Sequence, residues 1–207
     1  MCVAGGLIIG SPAGTSGPMV TEALINGCIH RDAKAQYGLY RALYPVMMSI
    51  CLRYQKDEQE AAATMNQGFL KILQNLKKRP DHVPFEAWAR RIIINTVIDA
   101  YRRERRRREA EVDLNEGSFD DHATNGVNDY LHDMEAEALE ELMNAVPPTS
   151  RNVFNLFAVD GYSHAEIADL LGISQGTSKW HVNHARQLLR KVLAERTESR
   201  ALNTQAQ

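Results

Sequence analysis

Aromatic residues are scarce in this sequence (7% Phe, Trp and Tyr), and long runs of β-branched side chains are missing. Strands are enriched in those residues, so both shortages weigh against a sheet-based fold. Cysteine is almost absent: Cys2, Cys28 and Cys51 are odd in number and far apart. That excludes a disulfide framework and points to a reducing, cytoplasmic setting. No Cys/His group has zinc-site spacing, so neither a metal nor a cofactor is expected. No uncharged apolar run reaches the roughly 18 residues of a membrane helix. Met1 to Val20 is apolar and Gly-rich but contains no Lys or Arg, so it lacks the basic start of a secretory signal. Catalytic apparatus is missing too. There are no paired carboxylates with a metal pattern and no Ser–His or Cys–His constellation, and Gly5-Gly6 and Gly14 lack the following Lys of a phosphate-cradling loop. An enzyme is not expected.

What is present favours helix. Apolar residues make up 44% of the chain, with Ala, Leu, Glu, Arg and Met prominent. The expected fold is all-α: two small helical domains joined by an acidic flexible linker. The formal net charge of -2 hides a strong asymmetry. Residues 1–108 carry 17 Lys+Arg against 9 Asp+Glu, residues 109–148 carry 12 acidic and no basic residues, and residues 149–207 carry 7 basic against 5 acidic. Such blocks of like charge mark different tasks along a chain.

Five segments follow: a flexible tail (1–29), a first helical domain (30–110), an acidic linker (111–133), a second helical domain (134–196) and a C-terminal tail (197–207). In the first domain a helix is predicted from about Asp32 to Gln55. Its apolar side is Tyr37, Tyr40, Leu43, Tyr44, Met47, Met48, Cys51 and Leu52, and Pro45 should kink it or start a new turn. A second helix should span Asp57 to Lys78, with Phe69, Leu70, Ile72, Leu73 and Leu76 inward and Pro80 as its stop. The third, Phe85 to about Glu109, sets Phe85, Trp88, Ile92 and Ile93 on one side, and the i, i+4 spacing to Ile92 makes Trp88 a core residue. Asp99 should pair with Arg102 or Arg103. Arg102 to Arg108 places six arginines in seven positions. Complementing a helix dipole needs one or two. The excess implies a polyanion, because such density repels itself without counter-charge.

In the second domain, a helix is expected from Met134 to Ala145. Another, capped by Thr149 or Ser150, should run to Val159. Ser163 to Leu193 then reads as helix, tight turn, helix. Ser163 and Glu166 form a capping box, Ile167, Ala168, Leu170 and Leu171 face inward, and Gly172 ends the first helix. Ile173 fills the angle. Ser174 to Thr177 opens a second helix whose inner face is Val182, Ala185, Leu188, Leu189 and Val192. Its outer face should begin with Ser178, Lys179, Trp180, His181, Asn183 and His184, donors and stackers suited to base edges in a major groove. Arg186, Arg190 and Lys191 are placed along phosphates. His181 and His184 lack a nearby Cys or acidic co-ligand, so metal binding is not expected.

These residues carry a family resemblance. Tyr162-Ser163-His164-Ala165-Glu166-Ile167-Ala168, Leu171-Gly172-Ile173-Ser174, Gly176-Thr177-Ser178-Lys179 and Ala185-Arg186 resemble region 4 of bacterial RNA polymerase sigma factors, the extracytoplasmic-function subfamily most closely. Leu52-Arg53-Tyr54, Gly68-Phe69-Leu70-Lys71-Ile72, Phe85, Trp88, Arg91-Ile92, Asn95-Thr96 and Ile98-Asp99 resemble region 2. The resemblance covers roughly residues 30–108 and 134–196.

The resemblance implies that the first domain binds core RNA polymerase and opens the promoter's -10 element, while the second reads the -35 element. Arg91 and Asn95 would lie near an unpaired base, beside the Arg79–Pro84 loop. Arg102, Arg103, Arg105 and Arg106 would hold duplex phosphates. Ser178, Lys179, Trp180, His181, Asn183, His184 and Arg186 would serve -35 DNA. The helix that docks on polymerase would offer Glu58, Glu60, Asn66, Gln67 and Lys71, with Ala63 and Asn66 standing where the family usually has an acidic residue and Gln. An anti-sigma protein is a further partner in this subfamily. The alternative is a helix-turn-helix regulator that never joins polymerase, which leaves Phe85 to Arg108 unexplained.

Overall fold

The computed structural model describes residues 20–55, 57–111, 143 and 145–205. They fall into two compact units, one on either side of residue 114. Every regular element among the described residues is helical. The linker and the helix expected from Met134 to Ala145 lie almost wholly outside the described residues.

The first unit has four helices: α1 (Glu22–Ile29), α2 (Ala33–Tyr54), α3 (Glu58–Asn75), extended by a 3-10 turn at Leu76–Lys78, and α4 (Phe85–Glu111). Side-chain caps start the first three. Thr21 accepts from Leu24 N, Asp32 from Ala35 N and Asp57 from Glu60 N. Each satisfies an amide that the helix leaves unpaired. α1 corrects the expected flexible tail (1–29) over Glu22–Ile29, and residues 1–19 lie outside the described residues. Ile25 and Cys28 are buried at a spacing of three, and Gly27 lets α1 approach α2, where an added Cβ would stand 2.6 Å from Ala35 Cβ. Eight residues with two buried anchors are too short to give a visible periodic signal.

Pro45 lies inside α2 on its exposed side, and the helix runs through it to Tyr54. A missing N–H there leaves a carbonyl that solvent satisfies. The expected apolar side of α2 is partly rotated. Leu39, Leu43, Met47, Met48, Ile50 and Cys51 are buried, whereas Tyr37, Tyr44 and Leu52 are exposed. α3 and α4 meet where Gly68 admits Ile93: an added Cβ would stand 2.5 Å from Ile93 Cδ1. Around that crossing Met65, Ile72, Ile93, Ile94, Val97 and Ile98 close an aliphatic core. Trp88 is half-buried rather than core, with its ring 5.9 Å from that of Phe85.

The second unit contains α5 (Pro148–Phe154), a π-helical turn at Asn155–Val159, α6 (His164–Leu171) and α7 (Gln175–Gln205). Neither Thr149 nor Ser150 caps α5. Pro147 holds the cap position and Pro148 the first helical one, where its fixed φ suits the helix and no N–H is needed. Ser163 and Glu166 do form the capping box of α6. Gly172 ends α6 with φ 67, the left-handed region that glycine enters without a Cβ penalty. Ser174 Oγ then accepts from Thr177 N at 2.9 Å, starting α7. This is the predicted helix-turn-helix, with Ile167, Ala168, Leu171, Val182, Ala185 and Leu189 buried between its helices and α5.

Candidate nucleic-acid interface

On α7 the buried positions Ser178, Val182, Ala185 and Leu189 recur at helical spacing and define its inner side. At about 100° per residue, the opposite side is Gly176, Trp180, Asn183, His184 and Gln187, with Lys179 at its edge, about a quarter turn from the buried side. Lys179 and Gln187 are exposed, and Trp180 and Asn183 half-exposed. Of the residues expected to face outward, Lys179, Trp180 and Asn183 do so.

Ser178 is corrected by burial, whereas His181, His184 and Arg186 are half-exposed like Trp180 and Asn183 and also make contacts inside the unit. Ser178 is fully buried, and its Oγ is 2.9 Å from His164 Nδ1. His181 and His184 turn toward α5, where their Nδ1 atoms lie 2.9 and 3.2 Å from Ser150 Oγ. Arg186 turns to the other flank, with its guanidinium 5.8 Å above the Phe157 ring. Burial first, then the neighbouring Arg190, pushes the Arg186 pKa below its ordinary value. An arginine held this way contributes packing and cation–π attraction more than phosphate contact. Gln187, also exposed, shares this outward side and was not singled out in the sequence. Continuing the three-and-four spacing from Gly176 through Asn183 would have found Gln187.

His164 links the turn to the inner side of α7. Its ring stacks on Phe157, centroids 4.4 Å apart and planes 15° from parallel. Burial, then Lys179 and Arg186, lowers its pKa. A cation there would lose solvent and face two guanidinium or ammonium charges.

On α4, Arg91, Asn95, Arg102 and Arg106 fall within an arc of about 60°, opposite the buried Ala89, Ile93 and Val97. Arg91 and Arg106 are exposed, Asn95 and Arg102 half-exposed. Arg103 lies to one side, its Nη2 3.5 Å from Gln67 Oε1 on α3, and Arg105 to the other. Asp99 does not pair with Arg102 or Arg103 as expected. Lys71 of α3 donates to its Oδ2 at 3.2 Å instead, because α3 is packed along that side of α4. The Lys71 side chain stays 44% exposed within that pair.

The remaining docking candidates lie on the outer side of α3, where Glu58, Glu60, Ala63, Asn66, Gln67 and Leu70 are exposed. Asn66 Oδ1 accepts from Tyr40 at 3.3 Å, and Phe69 meets the Tyr40 ring edge-on at 5.1 Å. The two described cysteines are inert by environment: burial raises both thiol pKa values, that of Cys51 to about 12. Among the described residues no group of three or more His, Cys, Asp and Glu is arranged to hold a metal. No helix among them is long and apolar enough to cross a membrane.

One unit carries a helix-turn-helix with a polar outward stripe and the other ends in an arginine stripe, both of which are arrangements suited to nucleic acid. Residues 39–107 match the family described as Sigma-70 region 2, and residues 136–189 match Sigma-70, region 4. The chain belongs to the sigma-70 family, in its extracytoplasmic-function group. It is 26% identical over 79% of its length to the "Probable RNA polymerase sigma factor RfaY" of Xanthomonas campestris. It is also 26% identical over 73% of its length to the "ECF RNA polymerase sigma factor SigE" of Mycolicibacterium smegmatis. The chain spans 42% of the first relative and 59% of the second. A solved sigma factor from Bartonella quintana, RpoE in complex with the anti-sigma factor NepR, is 17% identical, with a TM-score of 0.49 covering 78% of this chain and 98% of that one.

Proposed function

We propose that this chain is a promoter-recognition subunit of bacterial RNA polymerase that contacts promoter DNA with each of its two helical units. The observation that carries the reading is the stripe Trp180, Asn183 and Gln187, with Lys179 at its edge, opposite the buried side of a helix that follows a tight glycine turn. A helix so presented fits the major groove, where lysine and the carboxamides of Asn and Gln bond base edges. In this reading the second unit binds the -35 element. Arg102 and Arg106 hold phosphates near the -10 element, and Arg91 and Asn95 attend an unpaired base on the same stripe, where edge bonds and stacking hold an extruded nucleotide. Core polymerase docks on the outer side of α3 through Glu58, Glu60, Asn66 and Gln67.

Run-off transcription with core polymerase and a randomised promoter library tests the proposal. Initiation at sites sharing two spaced elements is the expected result, and failure to start RNA synthesis at any site refutes it. Lys179→Ala or Asn183→Ala should cost about 1–3 kcal/mol for each base edge left unread and change preference at the -35 element alone. Neutralising Arg102 and Arg106 together should weaken DNA binding across all sequences. The slope of log affinity against log salt should fall by about 0.9 for each phosphate no longer neutralised. Co-purification with core polymerase separates this reading from that of a free-standing regulator.

A further inference from the structure

A cluster on the flank of α7 ties Trp180 of the outward stripe to α5. Ser150, on α5, is 2% exposed, yet its hydroxyl lies 2.9 Å from His181 Nδ1 and 3.2 Å from His184 Nδ1. The Trp180 indole lies flat on the His184 ring, with centroids 4.7 Å apart and an angle of 22°. It meets His181 edge-on at 4.9 Å and 71°. One buried hydroxyl thus braces two imidazoles, and the two imidazoles corner one indole.

A serine hydroxyl has a single proton and two acceptor lone pairs. Placed between the two imidazoles, it is within hydrogen-bond distance of both Nδ1 atoms, donating to one and accepting from the other or accepting from an Nδ1–H of each. Both rings are held in place, and the plane of the indole is set before any partner arrives. Trp180 shares its stripe with Lys179 and Asn183, so its plane determines how much apolar surface lies beside their polar ends. Apolar surface in the major groove meets the thymine methyl, which makes the indole angle a determinant of base preference. Preorganising a large flat side chain also removes an ordering cost from binding.

We propose that Ser150 is a positioning residue for DNA reading. By bonding His181 and His184 at once, it fixes the two rings and with them Trp180 on the outward stripe of the recognition helix. This inference rests on the promoter-reading function proposed above. Ser150 touches no DNA in this account; it acts from the α5 side of the unit.

The test uses the full-length chain carrying Trp88→Phe, so that Trp180 is the single tryptophan. Selection from a library randomised over both promoter elements, with core polymerase present, is compared between this chain and versions with Ser150→Ala, Ser150→Thr and Ser150→Cys. Loss of the hydroxyl in Ser150→Ala should change the Trp180 emission and near-ultraviolet circular dichroism. It should also reduce discrimination at one or two base pairs of the -35 element by about fivefold or more, leaving the -10 preference as it was. Ser150→Thr keeps a hydroxyl and should restore both readouts. Ser150→Cys keeps the volume with a weak donor and should behave like Ser150→Ala, which keeps the test alive should the alanine variant fail to fold. A uniform loss of affinity at all base pairs, or unchanged discrimination and spectra in a folded variant, overturns the proposal. A parent chain that starts no transcript removes the promoter reading and this inference together. A parent that initiates, with Ser150 variants showing identical preferences, removes this inference alone.

Discussion

The two units are held together by different chemistry. In the first, the buried side chains are aliphatic almost throughout, with Thr64 and Thr96 the polar exceptions among the described residues. In the second, Ser150, Arg151, Asn152, Asn155 and Ser178 are all buried within a smaller set of helices. An aliphatic core is held by close packing, with no bond of set direction. Buried hydroxyls, amides and a guanidinium add a further demand, since each polar atom needs a partner at a set distance and angle. In the unit proposed to read base edges, Ser150, Ser178 and Arg151 have hydrogen-bond partners, whereas Asn152 Nδ2 is buried without one. The unit proposed to grip phosphates and polymerase is the one locked by shape.

Each unit contains one tryptophan, Trp88 in the first and Trp180 in the second, so the comparison can be broken one unit at a time. The largest effect belongs to Leu39→Ala. Leu39 is 0% exposed, and its truncation should cost about 2–5 kcal/mol. In denaturant unfolding, the Trp88 transition should move while the Trp180 transition stays in place. Ser178→Ala should do the reverse, by about 1–3 kcal/mol, because it strips His164 Nδ1 of its hydroxyl partner.

The same histidine makes the second unit sensitive to acid. Its folded pKa lies below the ordinary 6.5, so the unfolded chain binds the proton more readily. Stability is therefore fully present above 6.5 and is lost as pH falls from there through the folded pKa. A lower melting temperature for the Trp180 transition at pH 5.5 than at pH 7.5 is expected, with the difference reduced in His164→Gln. Gly172→Ala should cost about 1 kcal/mol in the second unit. Space is available around Gly172, but the left-handed φ is not suited to an L side chain. The smallest effect is expected from Glu22→Gln. Arg79 reaches Glu22 at 3.1 Å, but the Glu22 side chain is 70% exposed, so the first unit should lose under about 1 kcal/mol, and less in high salt.

Much of the fold was legible because it depends on local signals. Asp32 and Asp57 mark helix starts, Ser163 with Glu166 writes a capping box, and Gly172 stops α6 as expected. The site was legible only in part. Lys179, Trp180 and Asn183 face out as expected and Ser178 is buried, while the half-exposed His181, His184 and Arg186 are each also held by a partner 29 to 34 residues distant in the chain. Residue type alone cannot separate a histidine that reads DNA from one that bonds a buried serine, since both need a ring nitrogen at hydrogen-bond distance. Asp99 teaches the same lesson. Its i, i+4 arginine is nearby in sequence, yet Lys71 of the neighbouring helix takes the contact.

By itself, the sequence determined that this chain is helical, that it divides into two units around an acidic stretch and that the second contains a helix-turn-helix. Periodicity, caps and charge blocks are properties of neighbours within a few residues. Tertiary structure decided which polar side chains of the recognition helix point outward and which are bound inside, and it placed a short helix, α1, against the first core. Those outcomes depend on what packs across from each residue, and packing joins positions that the linear order keeps far apart.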